Sequence, residues 1–445
     1  MGYHLARRLS YEKRDVVIID RDAARVGFVQ ENLDVKAIAG RGSSPAILTE
    51  AGISKASIMV AVTDSDEVNL MACYVAGHLN GFLTKVARIR EQDYSDFPEI
   101  LDKDHLGVEL VISPENEAVA KMMQVLKVPG ATDVIDFAEG RIELFGIRLQ
   151  PDSPFVGASL ITLREQFAQE RFLVPAIFRD SEVVIPRGPD TLKAMDTVYV
   201  IASKDTIPKF MKKIGVNSKP LKSFMILGGN PIGIKIAQNL EKQGLGPIRL
   251  IDRDPSVCDH VACELNHTMV LRADAVDEEF LRSEGISETD GFIAVTADDE
   301  HNALTALLAK RLGAQRVAAL TNKVEYHRLV TAIGVDVVIN PRLAGASRIL
   351  QSIRKGKILS VSMLPGESVE AIELEAMETS ELVGKPLRKI RFPAGAILGA
   401  VERDKEFFIP NGETVVEPGD RVVIFVRREA IPKVERLLTV KLDYF

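Results

Sequence analysis

Residues 228–233 read GGNPIG, between the apolar run FMILG (224–228) and a helical stretch over 231–243. A glycine-rich turn joining a strand to a helix is a phosphate cradle. Its first glycine makes the tight turn, its second lets the backbone approach a pyrophosphate, and its third lets helix and strand pack closely. Gly228 and Gly233 hold the first and third places, and Asn230 stands at the second. A side chain there crowds the phosphate approach, although asparagine tolerates unusual backbone angles better than most residues. The following strand, IRLID (248–252), ends in Asp252, where an acid accepts ribose hydroxyls. The chemistry on offer is therefore nucleotide binding.

The same signals occur earlier in the chain. MGYHLARRLS at residue 1 matches IGIKIAQNLE at Ile232, which sets Gly2 on Gly233, and VVIIDRD (16–22) matches IRLIDRD (248–254), which sets Asp20 on Asp252. MVAVTDSDEVN (59–69) matches FIAVTADDEHN (292–302). Ligands of open α/β sheets sit beyond the carboxyl ends of the strands, so Thr63, Asp64 and Thr296 face the crevice. Helix capping is an equal reading of this segment, with Ser65/Asp66 and Asp298/Asp299 as the caps. VARIR (86–90) aligns with VAALT (317–321), so Arg88 and Arg90 fall on Ala319 and Thr321. An arginine fork suits phosphate or ribose, and it equally suits a surface salt bridge.

The elements that must position these residues alternate strand and helix, the pattern of an open, doubly wound parallel sheet. Six such strands run from FMILG to VVIN (337–340). The intervening segments repeat too: FVGASL (155–160) echoes LVGKPL (382–387), and PRGPDTLKAMDTVYVI (186–201) echoes PNGETVVEPGDRVVIF (410–425). The fold class is thus α/β, a duplicated Rossmann-like sheet with a small α+β domain after each copy. The expected domains are 1–129, 130–216, 222–355 and 357–441, nucleotide-binding and small in alternation. The copy-to-copy match leaves counterparts of Phe224–Pro231 missing ahead of Met1. The reading therefore expects the true start upstream, with an in-frame stretch supplying the first strand and a G-x-G turn.

Bulk composition excludes other classes. The 445 residues are 46% hydrophobic and 27% charged, with a net charge of −7, which speaks against a nucleic-acid partner. Cys73, Cys258 and Cys263 match no zinc spacing and read as buried thiols of a reducing compartment. The seven histidines form no metal-ligand pattern, and no catalytic constellation stands at a strand end. The Arg7 and Arg8 pair reads as the outer face of the first helix.

With IIDRD, AVTDSDE, VARIR, ISPE, ILGGNPIG, LIDRD, AVTADDE, LLAKRLGA and PNGETVVEPGDRV in place, the chain resembles regulatory proteins of Trk-type potassium uptake. Their halves belong to the family of domains that regulate potassium conductance. The resemblance implies a non-enzymatic, cytoplasmic subunit, peripheral on the inner face of the cell membrane. It also implies a homo-oligomer, dimer or tetramer ring, on an integral-membrane potassium-translocating subunit. NAD(H) is implied in the first site, and NAD(H) or ATP/ADP in the second. By similarity, Asp20, Thr63, Asp64 and Arg88 form the first site, with Met1 at the end of its glycine loop. Gly228, Gly229, Asn230, Pro231, Ile232, Asp252, Asp274 and Thr296 form the second. Two alternatives remain: a nicotinamide-dependent dehydrogenase, which needs a proton donor near the reacting carbonyl, and a regulator of another cation channel or antiporter.

Overall fold

The computed structural model describes residues 1–91, 93–94, 97–102, 105–167, 170–180, 182–215, 219–353, 358–364 and 368–438. The segments expected to join domains near 216–222 and 355–358, and the end of the last domain at 441, lie partly outside them. The chain divides into two compact units, Met1–Ala118 with Pro341–Arg354, and Val119–Asn340 with Lys355–Phe445.

In the first unit, β1 (Val17–Asp20) and β2 (Lys36–Ala39) form one parallel pair, with Asp20 opposite Ala39. β3 (Ile58–Ala61), β4 (Thr84–Arg88) and β5 (Leu110–Ile112) form a second parallel sheet in that order. The helix Gly2–Tyr11 buries Leu5 and Ala6, as its spacing predicts, but it also buries Arg8. Arg8 lies 3.1 Å from Glu12 one turn on, so an ion pair holds the charge inside and corrects its expected outward position. The helix Pro341–Ile353 belongs to this unit although the second copy encodes it. It packs on Gly2–Tyr11 and β5 through Gly345, where a β-carbon would stand 3.5 Å from Ile112 and 3.4 Å from Pro114.

The second unit begins within the helix Pro114–Leu126. β6 (Ala131–Phe137), β7 (Ile142–Arg148), β8 (Phe172–Arg179), β9 (Glu182–Val184) and β10 (Thr197–Ser203) form an antiparallel sheet in the order β6-β7-β10-β8-β9. Next come β11 (Phe224–Leu227), β12 (Ile248–Asp252), β13 (Thr268–Arg272), β14 (Gly291–Ala294), β15 (Arg316–Leu320) and β16 (Val337–Ile339). Their order, β13-β12-β11-β14-β15-β16, is parallel throughout and puts the switch point between β11 and β14. The central strands β11 and β14 are buried on both faces because helices cover both sides of the sheet. β17 (Ile358–Met363), β18 (Val369–Glu375), β19 (Ala396–Arg403), β20 (Glu406–Phe408) and β21 (Arg421–Arg427) repeat the small-domain order.

The two small domains share one core, in which Tyr199 and Ile201 pack with Ala371 and Phe425. Polar links close its rim: the Ala138 amide donates to Glu373 at 2.8 Å, and Arg141 pairs with Glu402. Each small domain carries an arginine–aspartate clasp, Arg179–Asp196 at 2.6 Å and Arg403–Asp420 at 2.7 Å. Such bidentate forks fix the loop before the last strand as well as stabilising it.

The thiols divide. Cys73 is fully buried and its thiol is pushed up to about 12 by desolvation, and Cys258 is buried with Sγ 3.5 Å from the Asp252 carbonyl. Cys263 is exposed, which corrects the expectation of three buried thiols, because it lies on the outer face of the helix Pro255–Glu264. A thiol reagent is expected to label Cys263 alone in the native protein and all three cysteines after denaturation. Fast labelling of Cys73 would contradict this packing.

Candidate functional site

The second nucleotide domain shows how the turn is built. Gly228 has a φ of 114°, and a β-carbon there would meet the Thr296 amide at 3.1 Å. At Gly229 it would stand 2.5 Å from Val257, and at Gly233 it would run into the Gly228 carbonyl. Three glycines are thus required by close approach of the strand ends and helix. Asn230 is the N-cap of the helix Pro231–Lys242, its Oδ1 accepting from the Ile232 amide at 2.9 Å and the Gly233 amide at 3.1 Å. Its Nδ2 donates to the Val295 carbonyl. Pro231 opens the helix, where its missing N–H costs nothing, and Ile232 is buried.

Asp252 closes β12 half-buried, with Oδ2 accepting from the Gly229 amide at 2.7 Å and Oδ1 from the Asp254 amide at 3.0 Å. Asp274 is exposed two residues beyond β13, and accepts from the Val276 amide at 3.1 Å. Thr296 is held by Asn302, whose Oδ1 accepts from the Thr296 amide at 2.8 Å and hydroxyl at 2.6 Å. Capping of the next helix falls to Asp298, while buried Asp299 reaches the Asn322 and Lys323 amides at 2.8 Å. The capping reading of this segment holds at Asp298 and not at Asp299, which lies inside the helix.

The first domain repeats the frame. Asp20 accepts from the Asp22 amide at 2.9 Å, as Asp252 does from Asp254. A β-carbon on Gly2 would stand 3.3 Å from Val62, as one on Gly233 would stand 3.4 Å from Val295. Asn69 holds Thr63 through its amide and hydroxyl, both at 2.8 Å. Ser65 caps the helix Asp66–Leu79, and buried Asp66 accepts from the Glu91 amide at 2.9 Å and that of Arg90 at 2.6 Å. Arg88 reaches Glu115 at 3.0 Å and Asp64 at 3.5 Å, Arg90 donates to the Asp64 carbonyl, and Met1 lies among Arg88, Asp64 and Arg342.

These bonds correct one alignment. The brace Asn69 donates to the Arg88 carbonyl 19 residues on, and Asn302 to the Leu320 carbonyl 18 residues on. Arg88 therefore matches Leu320, not Ala319, and Arg90 matches Asn322, not Thr321. One extra residue in the first copy shifts the register, and in a strand one residue exchanges the faces. The basic pair still has no counterpart. Sequence reasoning missed Asn69, Asn302, Glu115 and Arg342. Both asparagines stood in the matched motifs, and Glu115 in ISPE, but nothing local marked them as buried braces.

Comparison with known proteins agrees with this architecture. The TrkA-N domain model matches residues 1–114 and 224–341, and the TrkA-C domain model matches 144–215 and 371–439. The Trk system potassium uptake protein TrkA of Azorhizobium caulinodans is 37% identical over 100% of this chain and 98% of its own. The chain belongs to the TrkA family. TrkA homolog 1 of Methanosarcina mazei is 36% identical over 98% of this chain and 97% of its own. TrkA of Halomonas elongata is 34% identical over 100% and 98%. Among solved structures, the GsuK RCK domain matches with a TM-score of 0.57 at 19% identity, over 98% of this chain and 92% of that one. The GsuK channel bound to NAD matches at 0.57 and 18% identity, over 98% and 77%. These two share the fold. Within this chain, no described helix is long and apolar enough to cross a membrane, and no described group of His, Cys, Asp and Glu is arranged for a metal ion.

Proposed function

We propose that this TrkA-family chain is the nucleotide-sensing regulatory subunit of a Trk-type potassium uptake system. It acts at the cytoplasmic face of the membrane as a homo-oligomer, dimer or tetramer ring, on an integral-membrane potassium-translocating subunit. The observation that carries the reading is the pair of matched strand-end sites in a chain similar to TrkA proteins along its whole length. Asp20, Thr63, Asp64, Arg88 and Met1 make the first site, for NAD(H). Gly228, Gly229, Asn230, Pro231, Ile232, Asp252, Asp274 and Thr296 make the second, for an adenine nucleotide.

The residues fit an adenosine ribose at each aspartate, and the chain's part is to bind and orient it. Regulation then follows from differential affinity: nucleotide favours one arrangement of the chain, and the membrane subunit follows that arrangement. Residues 131–215, which follow the first site, contain no histidine to serve as a proton donor.

Potassium flux in liposomes holding this chain and its membrane subunit tests the reading. NADH or ATP is expected to change flux about five- to 150-fold, the range of a ~1–3 kcal/mol coupling. Absorbance at the nicotinamide band should stay constant with keto and aldehyde compounds present. Steady NADH consumption with unaltered flux would replace the regulator with a dehydrogenase.

A further inference from the structure

We propose that Asn230 makes the second site indifferent to phosphate: it takes an adenosine moiety beside Asp252 and gains nothing from a di- or triphosphate attached to it. This rests on the nucleotide reading of that site and narrows its ligand class. A phosphate cradle works because first-turn amides have no partner within the helix and point at the anion. Here the Ile232 and Gly233 amides already donate to Asn230 Oδ1, at 2.9 and 3.1 Å. The Gly229 amide donates to Asp252 Oδ2 at 2.7 Å. Three donors of the turn are thus satisfied by the chain's own side chains.

Asn230 does more than cap. Its Nδ2 donates to the Val295 carbonyl just beyond β14. The side chain therefore bridges the mouth between β11 and β14, the switch point where a dinucleotide would continue past its pyrophosphate. A phosphate oxygen and Oδ1 are both acceptors competing for the same two N–H groups. Admitting phosphate means breaking the cap and leaving the Val295 carbonyl without this donor. The ribose end is different: Asp252 is half-buried and Asp274 exposed, so ribose hydroxyls can donate to the carboxylate lone pairs that the Gly229 and Asp254 amides leave open.

Calorimetry on the full chain decides it, with Asp20→Asn present throughout to silence the first site and adenosine, ADP and NADH as titrants. In the Asn230 protein, adenosine and ADP are expected to bind within about threefold of each other, and Asp252→Asn to weaken both. In Asn230→Gly, ADP and NADH should tighten by about tenfold or more relative to adenosine. Glycine is an accepted N-cap, so the fold is kept. Asn230→Ser, which keeps a capping oxygen but is too short to reach Val295, should move in the same direction. ADP binding more than about tenfold tighter than adenosine in the Asn230 protein, unaltered by either substitution, overturns this proposal and leaves nucleotide binding standing. Absence of binding by any adenosine compound in all variants overturns both.

Discussion

Replacing Arg316 by methionine is expected to lower the free energy of unfolding by about 3–5 kcal/mol, the cost of losing several buried hydrogen bonds from a charged donor. Arg316 opens β15 and is almost wholly buried. Its guanidinium donates to the carbonyls of Val125 at 3.3 Å, Val128 at 3.0 Å and Ala131. These carbonyls end the helix Pro114–Leu126 and begin β6; those of Val125 and Val128 also accept from the Val128 amide at 3.3 Å and the Ala131 amide at 3.1 Å, so Arg316 takes a second lone pair on each. Burial pulls the guanidinium down to about 10, with Asp336 opposing the fall, so it stays charged at neutral pH. Methionine fills similar space and returns none of the three hydrogen bonds from a charged donor, each of which contributes about 1.5–3 kcal/mol. Arg316→Lys should recover part of the loss, because an ammonium is a point donor and cannot fork across three oxygens. Chemical denaturation of the full chain, followed through its first transition, reads the difference. Equal stability of the methionine and arginine proteins would mean that water serves those carbonyls instead.

Patterns confined to one element were legible in the sequence. The strand–helix alternation, the aspartate closing β12 and the turn before the helix Pro231–Lys242 are local, and they lie where the periodicity puts them. What was not legible depends on burial or on partners distant in sequence. Arg8 looks solvated until Glu12 is placed within 3.1 Å of it in the interior. The arginine–aspartate clasps of the small domains are 17 residues apart in both copies, yet only the folded hairpins bring them into contact. No local signal says which copy a helix serves, so the place of Pro341–Ile353 in the first unit could not be read from its own pattern. Arg316 shows the same limit, since its three acceptors lie 185 to 191 residues away.

The brace behind Thr296 is the other position where a single change should have a large effect. Asn302 is fully buried; Oδ1 accepts from the Thr296 amide at 2.8 Å and hydroxyl at 2.6 Å, and Nδ2 donates to the carbonyls of Thr296 at 2.9 Å and Leu320 at 3.0 Å. It therefore ties the residues just past β14 to the end of β15, beside the turn where Gly228 passes the Thr296 amide. Asn302→Leu keeps the branched outline and leaves these groups unpaired, with an expected loss of about 2–4 kcal/mol. Asn302→Asp is the sharper test. A carboxylate keeps the acceptors but turns a repelling oxygen to the two carbonyls, so the acid should be held protonated in the fold with its pKa raised above the unfolded value. An acid raised on folding gives stability that is complete below its unfolded pKa and lost as pH rises through the folded one. The thermal midpoint of Asn302→Asp is thus expected to fall relative to the parent as pH rises from about 4, the unfolded value, toward about 8, while that of Asn302→Leu keeps a constant offset. Asn69 makes the same bonds to Thr63 and Arg88 in the first domain, and Asn69→Asp should give the same dependence. A pH-independent Asn302→Asp protein would show that the carboxylate stays ionised, and that β14 and β15 are held together without this amide.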